Sequence, residues 1–180
     1  MNHLYRADAL HLPRHVAPAS ADVVYLDPPF AVGKPFRARG EGRARADGVE
    51  AYDDRWPSLD AYLAWLEARV EAAATVLAPH GTLWLHLDHR AVHEAKVRLD
   101  GRAAVGRFVG EIIWVPGNGA KARATLSVTH QTLLVFAKGP RFVWNVDDPA
   151  LREPYAETSL AMHFSTRDEE GRRYRERIVN

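Results

Sequence analysis

The stretch Val23-Val24-Tyr25-Leu26-Asp27-Pro28-Pro29-Phe30 constrains this chain more than any other: an apolar run stops on an acid, two prolines and an aromatic ring. Val23 to Leu26 are β-branched or large and apolar, and they lie between Asp22 and Asp27, which predicts a short buried strand. Pro28 and Pro29 lack backbone donors and have fixed φ, and a residue before proline is pushed to an extended conformation. The chain therefore leaves the sheet in a stiff direction. Ligands of open α/β sheets bind at the carboxyl ends of strands. At such an end this turn presents one carboxylate, free carbonyl oxygens and one aromatic face. That set suits a planar base with an exocyclic amine, because a carboxylate and a carbonyl accept the two amine hydrogens while the ring stacks. A strand ending in an Asx-Pro turn with a packed Phe is the plain alternative.

The remaining chain reads as scaffold. Ser58 is placed to cap a helix in which Leu59, Tyr62, Leu63, Leu66, Val70, Ala73 and Leu77 keep helical spacing as far as Pro79-His80-Gly81. Thr82 to Leu87 follows as a buried strand, so that residues 22–87 form a strand–helix–strand unit with a parallel, right-handed crossover. Further expected elements are a strand over Leu4–Ala7, a helix over His89–Leu99 ended by Gly101, and strands over Phe108–Val115 and Gln131–Lys138. An edge strand over Phe142–Asn145 and a charged turn leading into a strand over Tyr174–Val179 complete the reading.

Composition limits the chemistry. A chain of 180 residues is large enough for one real core. The net charge of +1 is uneven, with 12 Lys/Arg against 14 Asp/Glu in residues 1–100 and 12 against 9 beyond, which permits a basic binding face without requiring one. There is no cysteine, which excludes disulfides and thiolate catalysis and fits an intracellular, cytoplasmic protein. No run approaches membrane-spanning length. His89 and His93 could share a helix face, but no His-Glu-x-x-His pattern and no third ligand accompany them, so no metal is expected. In the loop after Phe30, the stretch from Lys34 to Arg45 carries Lys34, Arg37, Arg39, Arg43 and Arg45 against Glu41 alone, and residues 116–125 add Lys121 and Arg123. Lys34, Arg37, Arg39, Lys121 and Arg123 are the candidates for phosphate contacts, with solvated loops as the alternative.

Asp27-Pro28-Pro29-Phe30 resembles the signature of the S-adenosylmethionine-dependent amino-methyltransferases of DNA, Asp/Asn/Ser-Pro-Pro followed by Tyr, Phe or Trp. Other segments are similar in order: Asp8-Ala9-Leu10 before the strand, Asp54-x-Trp56 after the basic loop, His86-x-Asp88 at the next strand end, then Trp114, His130 and Lys138. Asp168-x-x-Gly171-Arg172-x-Tyr174 is similar to segments of the family's target-recognition region. The resemblance implies Asp27, Pro28, Pro29 and Phe30 as catalytic residues, Asp8, Ala9 and Asp27 at the cofactor, and His86 and Asp88 in the substrate pocket. Helix or turn capping is the alternative for Asp8 and Asp88.

The fold the resemblance implies is α/β, a Rossmann-like methyltransferase sheet, circularly permuted and incomplete. Residues 1–145 would be the catalytic part and residues 146–180 the start of a target-recognition region. The glycine-rich cofactor loop that comes last in this class has no counterpart in the sequence, so a fragment or split product is expected, with inefficient methylation by the 180 residues alone. The implied reaction transfers methyl from S-adenosylmethionine to the exocyclic amine of a flipped adenine. A cytosine-N4 enzyme, an RNA amino-methyltransferase and a non-catalytic nucleic-acid-binding remnant stay open. DNA is the implied partner; a homodimer and a missing C-terminal half or partner subunit stay open as well.

Overall fold

The computed structural model describes residues 2–37, 50–116, 122, 124, 126–145, 147–151 and 156–175. Two compact units emerge, Met1–Val143 and Trp144–Asn180.

In the first unit, β1 (Ala21–Leu26) leads through a small hairpin, β2 (Pro35–Arg37) and β3 (Glu50–Asp53), into α1 (Leu59–Ala74). β4 (Leu77–Leu87), α2 (Val92–Leu99), β5 (Arg107–Trp114) and β6 (Gln131–Ala137) follow. The main sheet has the order β1-β4-β6-β5, with β1 parallel to β4 and the other pairs antiparallel. The α/β expectation holds, and β1 is an edge strand among the described residues.

α1 starts where Ser58 predicts: its hydroxyl oxygen accepts the Ala61 N–H at 3.1 Å, and Asp60 lies in the first turn. Tyr62, Leu63, Leu66, Val70 and Ala73 turn inward along one side of α1 and are buried. They join Val24, Leu83, Leu85, Leu87, Leu134 and Phe136 of the sheet in one cluster, to which α2 adds Val92, Ala95 and Leu99. Strand alternation sends Val23 and Tyr25 to the opposite face, where they are 60% and 52% exposed. Gly101, at φ +78°, ends α2 as expected, and Gly106 has no room for a Cβ, which would lie 2.2 Å from the Ala137 carbonyl oxygen.

Several boundaries differ from expectation. α1 stops at Ala74 because the amides of Ala19, Ser20 and Ala21 donate to the carbonyls of Thr75 and Val76, drawing that segment into the sheet. Leu77 therefore pairs with Ala21 as the first residue of β4, and the register shifts between Ala21 and Val23 accommodate Pro79-His80-Gly81. α2 begins at Val92 instead of His89, since Asp88 first closes a turn through its carbonyl and carboxylate. Leu4–Ala7 is not a strand: it has no ladder partner among the described residues, Leu4 is 99% exposed, and Tyr5 instead stacks between His3 and His15. Phe142–Asn145 likewise is not a strand among the described residues, and the Arg107 guanidinium sits 5.7 Å from the Phe142 ring.

The second unit contains α3 (Glu157–His163) and a two-stranded hairpin, β7 (Thr166–Arg167) with β8 (Arg173–Tyr174). Its turn is closed by the Asp168 carboxylate, which accepts from the Glu170 and Arg172 amides at 3.1 and 2.8 Å. The strand expected over Tyr174–Val179 is thus described only at its first residues. No helix among the described residues is long and apolar enough to cross a membrane.

Candidate functional site

The prolines lead the chain off the end of β1 and over the top of the sheet. There the turn is gripped from below by side chains that arrive later in sequence. The Tyr62 hydroxyl, on the inward side of α1, donates to the Pro29 carbonyl at 2.7 Å. Burial, with help from the Asp54 and Asp88 charges, pushes the Tyr62 phenol far above its usual pKa, so it remains a donor at any physiological pH. The Pro28 carbonyl is the main-chain acceptor next to Asp27 in the chain. Past Phe30, the amides of Ala31 and Val32 donate to the Asp54 carboxylate at 3.1 and 2.9 Å.

Asp27 to Phe30 form one wall of a cleft of about 690 Å³. The hairpin adds Phe36 and Tyr52, whose rings stack 4.8 Å apart at 13°. His86 of β4 forms the floor, and Trp114 and Gln131, cross-strand partners on β5 and β6, close the far side. His86 is held on all sides. Its Nε2 lies 2.9 Å from Gln131 Oε1, its Nδ1 3.1 Å from the Tyr25 hydroxyl and 3.3 Å from Asp27 Oδ1, and Phe30 and Trp114 stand T-shaped to its ring. With Nε2–H donating to Gln131, a neutral ring accepts from Tyr25 at Nδ1, whereas a protonated ring donates to Asp27. Burial first, and then the Asp27 charge, raise the Tyr25 pKa, which keeps that phenol a donor. The Asp27 side chain stays 59% exposed, with oxygens free for a ligand.

Asp27 and Pro28 also line a second cavity, of about 280 Å³, on the other side of the turn. Asp8, Ala9 and Leu26 meet Trp65, Leu66 and Arg69 of α1 there. Asp8 caps a turn, as the plain alternative has it, and also borders this cavity. Its Oδ1 accepts the Leu10 amide at 2.9 Å and caps the 3-10 turn Ala9–Arg14, while Oδ2 accepts from Arg69 at 2.6 Å and the carboxylate borders the cavity. The Arg69 guanidinium in turn lies 4.0 Å over the Trp65 ring.

The Leu10 amide and then Arg69 hold the Asp8 carboxyl below its ordinary value of 3.8. A pKa depressed by folding contributes stability above the unfolded value that is lost as pH falls through the folded one. Arg69→Met is therefore expected to lower the urea midpoint at pH 7 and to differ less from the unsubstituted chain at pH 3, as urea titrations at both pH values would show.

The other expected site residues divide. Lys34 and Arg37 lie near Phe36 in sequence, with Lys34 Nζ 5.5 Å from the Phe36 ring, but neither lines the cleft; Arg39, Lys121 and Arg123 lie outside the described residues. Asp88 does not reach the cleft: its carboxylate is taken by the backbone and guanidinium of Arg90. His89 and His93 belong to no group of three metal-ligating side chains among the described residues. Phe36, Tyr52, Trp114 and Gln131 in the cleft, and Trp65, Leu66 and Arg69 in the second cavity, were not expected from sequence. The aromatic residues at both ends of the basic loop, Phe36 and Tyr52, were the available signal.

Residues 21–177 match a family described as DNA methylase. The type II methyltransferase M.EcaI of Enterobacter cloacae is 28% identical over 152 residues, which cover 84% of this chain and 31% of that protein. M.BglII of Bacillus subtilis is 26% identical over 163 residues, covering 87% and 41%. The chain thus spans well under half the length of these curated relatives. Among solved structures, the PvuII DNA methyltransferase, cytosine-N4-specific by its title, superposes with a TM-score of 0.56 at 12% identity, covering 87% of this chain and 60% of that one. At that identity the likeness concerns the fold: a Rossmann-like α/β methyltransferase sheet.

Proposed function

Since the chain belongs to the DNA methylase family of the N6/N4 amino-methyltransferase type, we propose that it binds a base flipped out of DNA in the larger cleft and S-adenosylmethionine in the smaller cavity, and acts in methylating the exocyclic amine of adenine. One observation carries this reading: Asp27 and Pro28 are the residues common to both cavities. A reaction between two bound molecules needs a shared wall where their reacting atoms meet.

The residues fit both ligands. The cleft offers the faces of Phe30, Phe36 and Tyr52 to a planar ring and a carboxylate to an amine. Asp27 and the Pro28 carbonyl accept the two amine hydrogens, which draws the nitrogen lone pair out of ring conjugation and aims it away from the base plane. Asp27 then stabilises the positive charge that grows on nitrogen. In the second cavity, Leu26, Leu66 and the Trp65 ring suit the apolar faces of an adenosyl group, and the Asp8 carboxylate suits its hydrogen-bond donors. S-adenosylmethionine, when bound, supplies the electrophilic methyl. Lys34 and Arg37 at the hairpin would hold phosphates flanking the extruded nucleotide, with Arg39, Lys121 and Arg123 as further candidates.

By the resemblance to the family's motif, Asp27 at its first position favours adenine. The cytosine-N4 enzyme among the structural relatives keeps cytosine as the competing base. The test titrates the full chain with methyl-labelled S-adenosylmethionine by equilibrium dialysis, then adds duplexes containing only adenine or only cytosine as acceptor. Saturable binding with label appearing on adenine is expected. Label on cytosine would reverse the base assignment, and failure to bind either S-adenosylmethionine or DNA would overturn the reading.

A further inference from the structure

Asp54 is fully buried, yet no Lys or Arg pairs with it among the described residues. Its carboxylate is met by three N–H groups instead. Oδ1 accepts from the Ala31 amide at 3.1 Å and the Trp56 indole at 2.9 Å, and Oδ2 accepts from the Val32 amide at 2.9 Å. Its backbone joins in, with the Asp54 carbonyl accepting Gly33 N–H at 3.1 Å and the Asp54 amide donating to Lys34 at 3.3 Å. Burying a carboxylate is costly, and hydrogen bonds from several N–H donors are what make it tolerable.

The conformation thus enforced is unusual. Ala31 has φ +56°, in the left-handed region that a residue with a Cβ avoids, and such a turn persists only where its surroundings over-determine it. The strained residue immediately follows Phe30. On the other side of Phe30, the Pro29 carbonyl is fixed by Tyr62. Phe30 is therefore suspended between two pinned peptide groups, with its ring T-shaped to His86 at 5.2 Å.

We propose that Asp54 is a positioning residue for base binding: by holding the amides of Ala31 and Val32, it fixes the Phe30 ring as a preformed stacking surface. The inference rests on the base-pocket reading above. It assigns Asp54 no contact with the base; its effect passes through the backbone. A loop free to relax Ala31 out of the left-handed region would turn Phe30 away from the cleft, and each binding event would then bear the cost of ordering it.

The test uses the full chain with Asp54→Asn, which puts an amide donor against the Val32 amide, with Trp56→Phe, which removes one donor of three, and with the double variant Asp54→Asn/Ala31→Gly. The probe is a single-stranded oligonucleotide carrying 2-aminopurine, whose emission is quenched on stacking; hydrogen exchange of residues 27–37 is read against residues 131–137. For Asp54→Asn, affinity should fall about tenfold or more, as expected for losing a hydrogen bond to a charged group. Exchange should quicken at residues 27–37 only. Trp56→Phe should show a smaller loss in the same direction, which keeps the proposal testable if Asp54→Asn does not fold. Ala31→Gly should recover part of the affinity, because glycine carries no penalty at positive φ. An unsubstituted chain that quenches the probe while all three variants quench equally would overturn the role of Asp54 alone. An unsubstituted chain that leaves the emission unchanged would remove the base pocket, and this proposal with it.

Discussion

Asp27→Ala is expected to cut methyl transfer by about 10²- to 10³-fold, the usual effect of deleting one group aimed at charge developing in a transition state. The loss should appear in kcat, with little change in thermal midpoint. Asp27 is exposed and no buried group depends on it: His86, 3.3 Å away, keeps Tyr25 and Gln131 as partners. Asp27→Asn should fall between the two, because it keeps one oxygen acceptor while its amide opposes the amine donors. Single-turnover transfer of labelled methyl to duplex DNA, with S-adenosylmethionine binding measured separately on the same samples, checks this. A variant within tenfold of the unsubstituted chain would remove Asp27 from the reaction. A variant that fails to bind S-adenosylmethionine would place its role in the second cavity, whose wall it also forms.

The features that sequence revealed are those decided within a few residues. Val-Val-Tyr-Leu running into two prolines can hardly avoid making a strand with an abrupt end, and Ser58 with Asp60 behind it marks a helix start without reference to the rest of the fold. The end of that helix was not legible, because the capture of residues 75 and 76 depends on amides at 19–21, more than fifty residues earlier. Leu4–Ala7 and Phe142–Asn145 have residues suited to strands, but a strand exists only where a neighbour offers a ladder, and no ladder to them is found among the described residues. The site divides in the same way. Its motif is contiguous, whereas Phe36 meets Tyr52 through hairpin pairing, and Trp114 meets Gln131 through antiparallel register. Asp54 was hardest to identify. In Tyr52-Asp53-Asp54-Arg55-Trp56 two adjacent acids look alike. Asp53 forms an exposed pair with Arg55, and Asp54 turns inward to the backbone of the motif.

Phe136→Ala is expected to destabilise the fold by about 3–5 kcal/mol, the range for removing a large ring from a close-packed interior. Phe136 is completely buried on a central strand, between Leu83 of β4 and Phe108 of β5. Its ring meets Phe108 edge-on at 5.7 Å. α1 and α2 cover this face, so neither neighbouring strand can move in to fill the space without breaking its ladder to β6. Against a typical total of about 5–15 kcal/mol, such a loss leaves little reserve. Val97, on the outer side of α2, is 75% exposed, and Val97→Ala should change stability by no more than about 0.5 kcal/mol. Urea denaturation followed by circular dichroism separates the two. If Phe136→Ala cost no more than Val97→Ala, the core would not run through β6, and the sheet that carries His86 and Gln131 to the cleft would need another explanation.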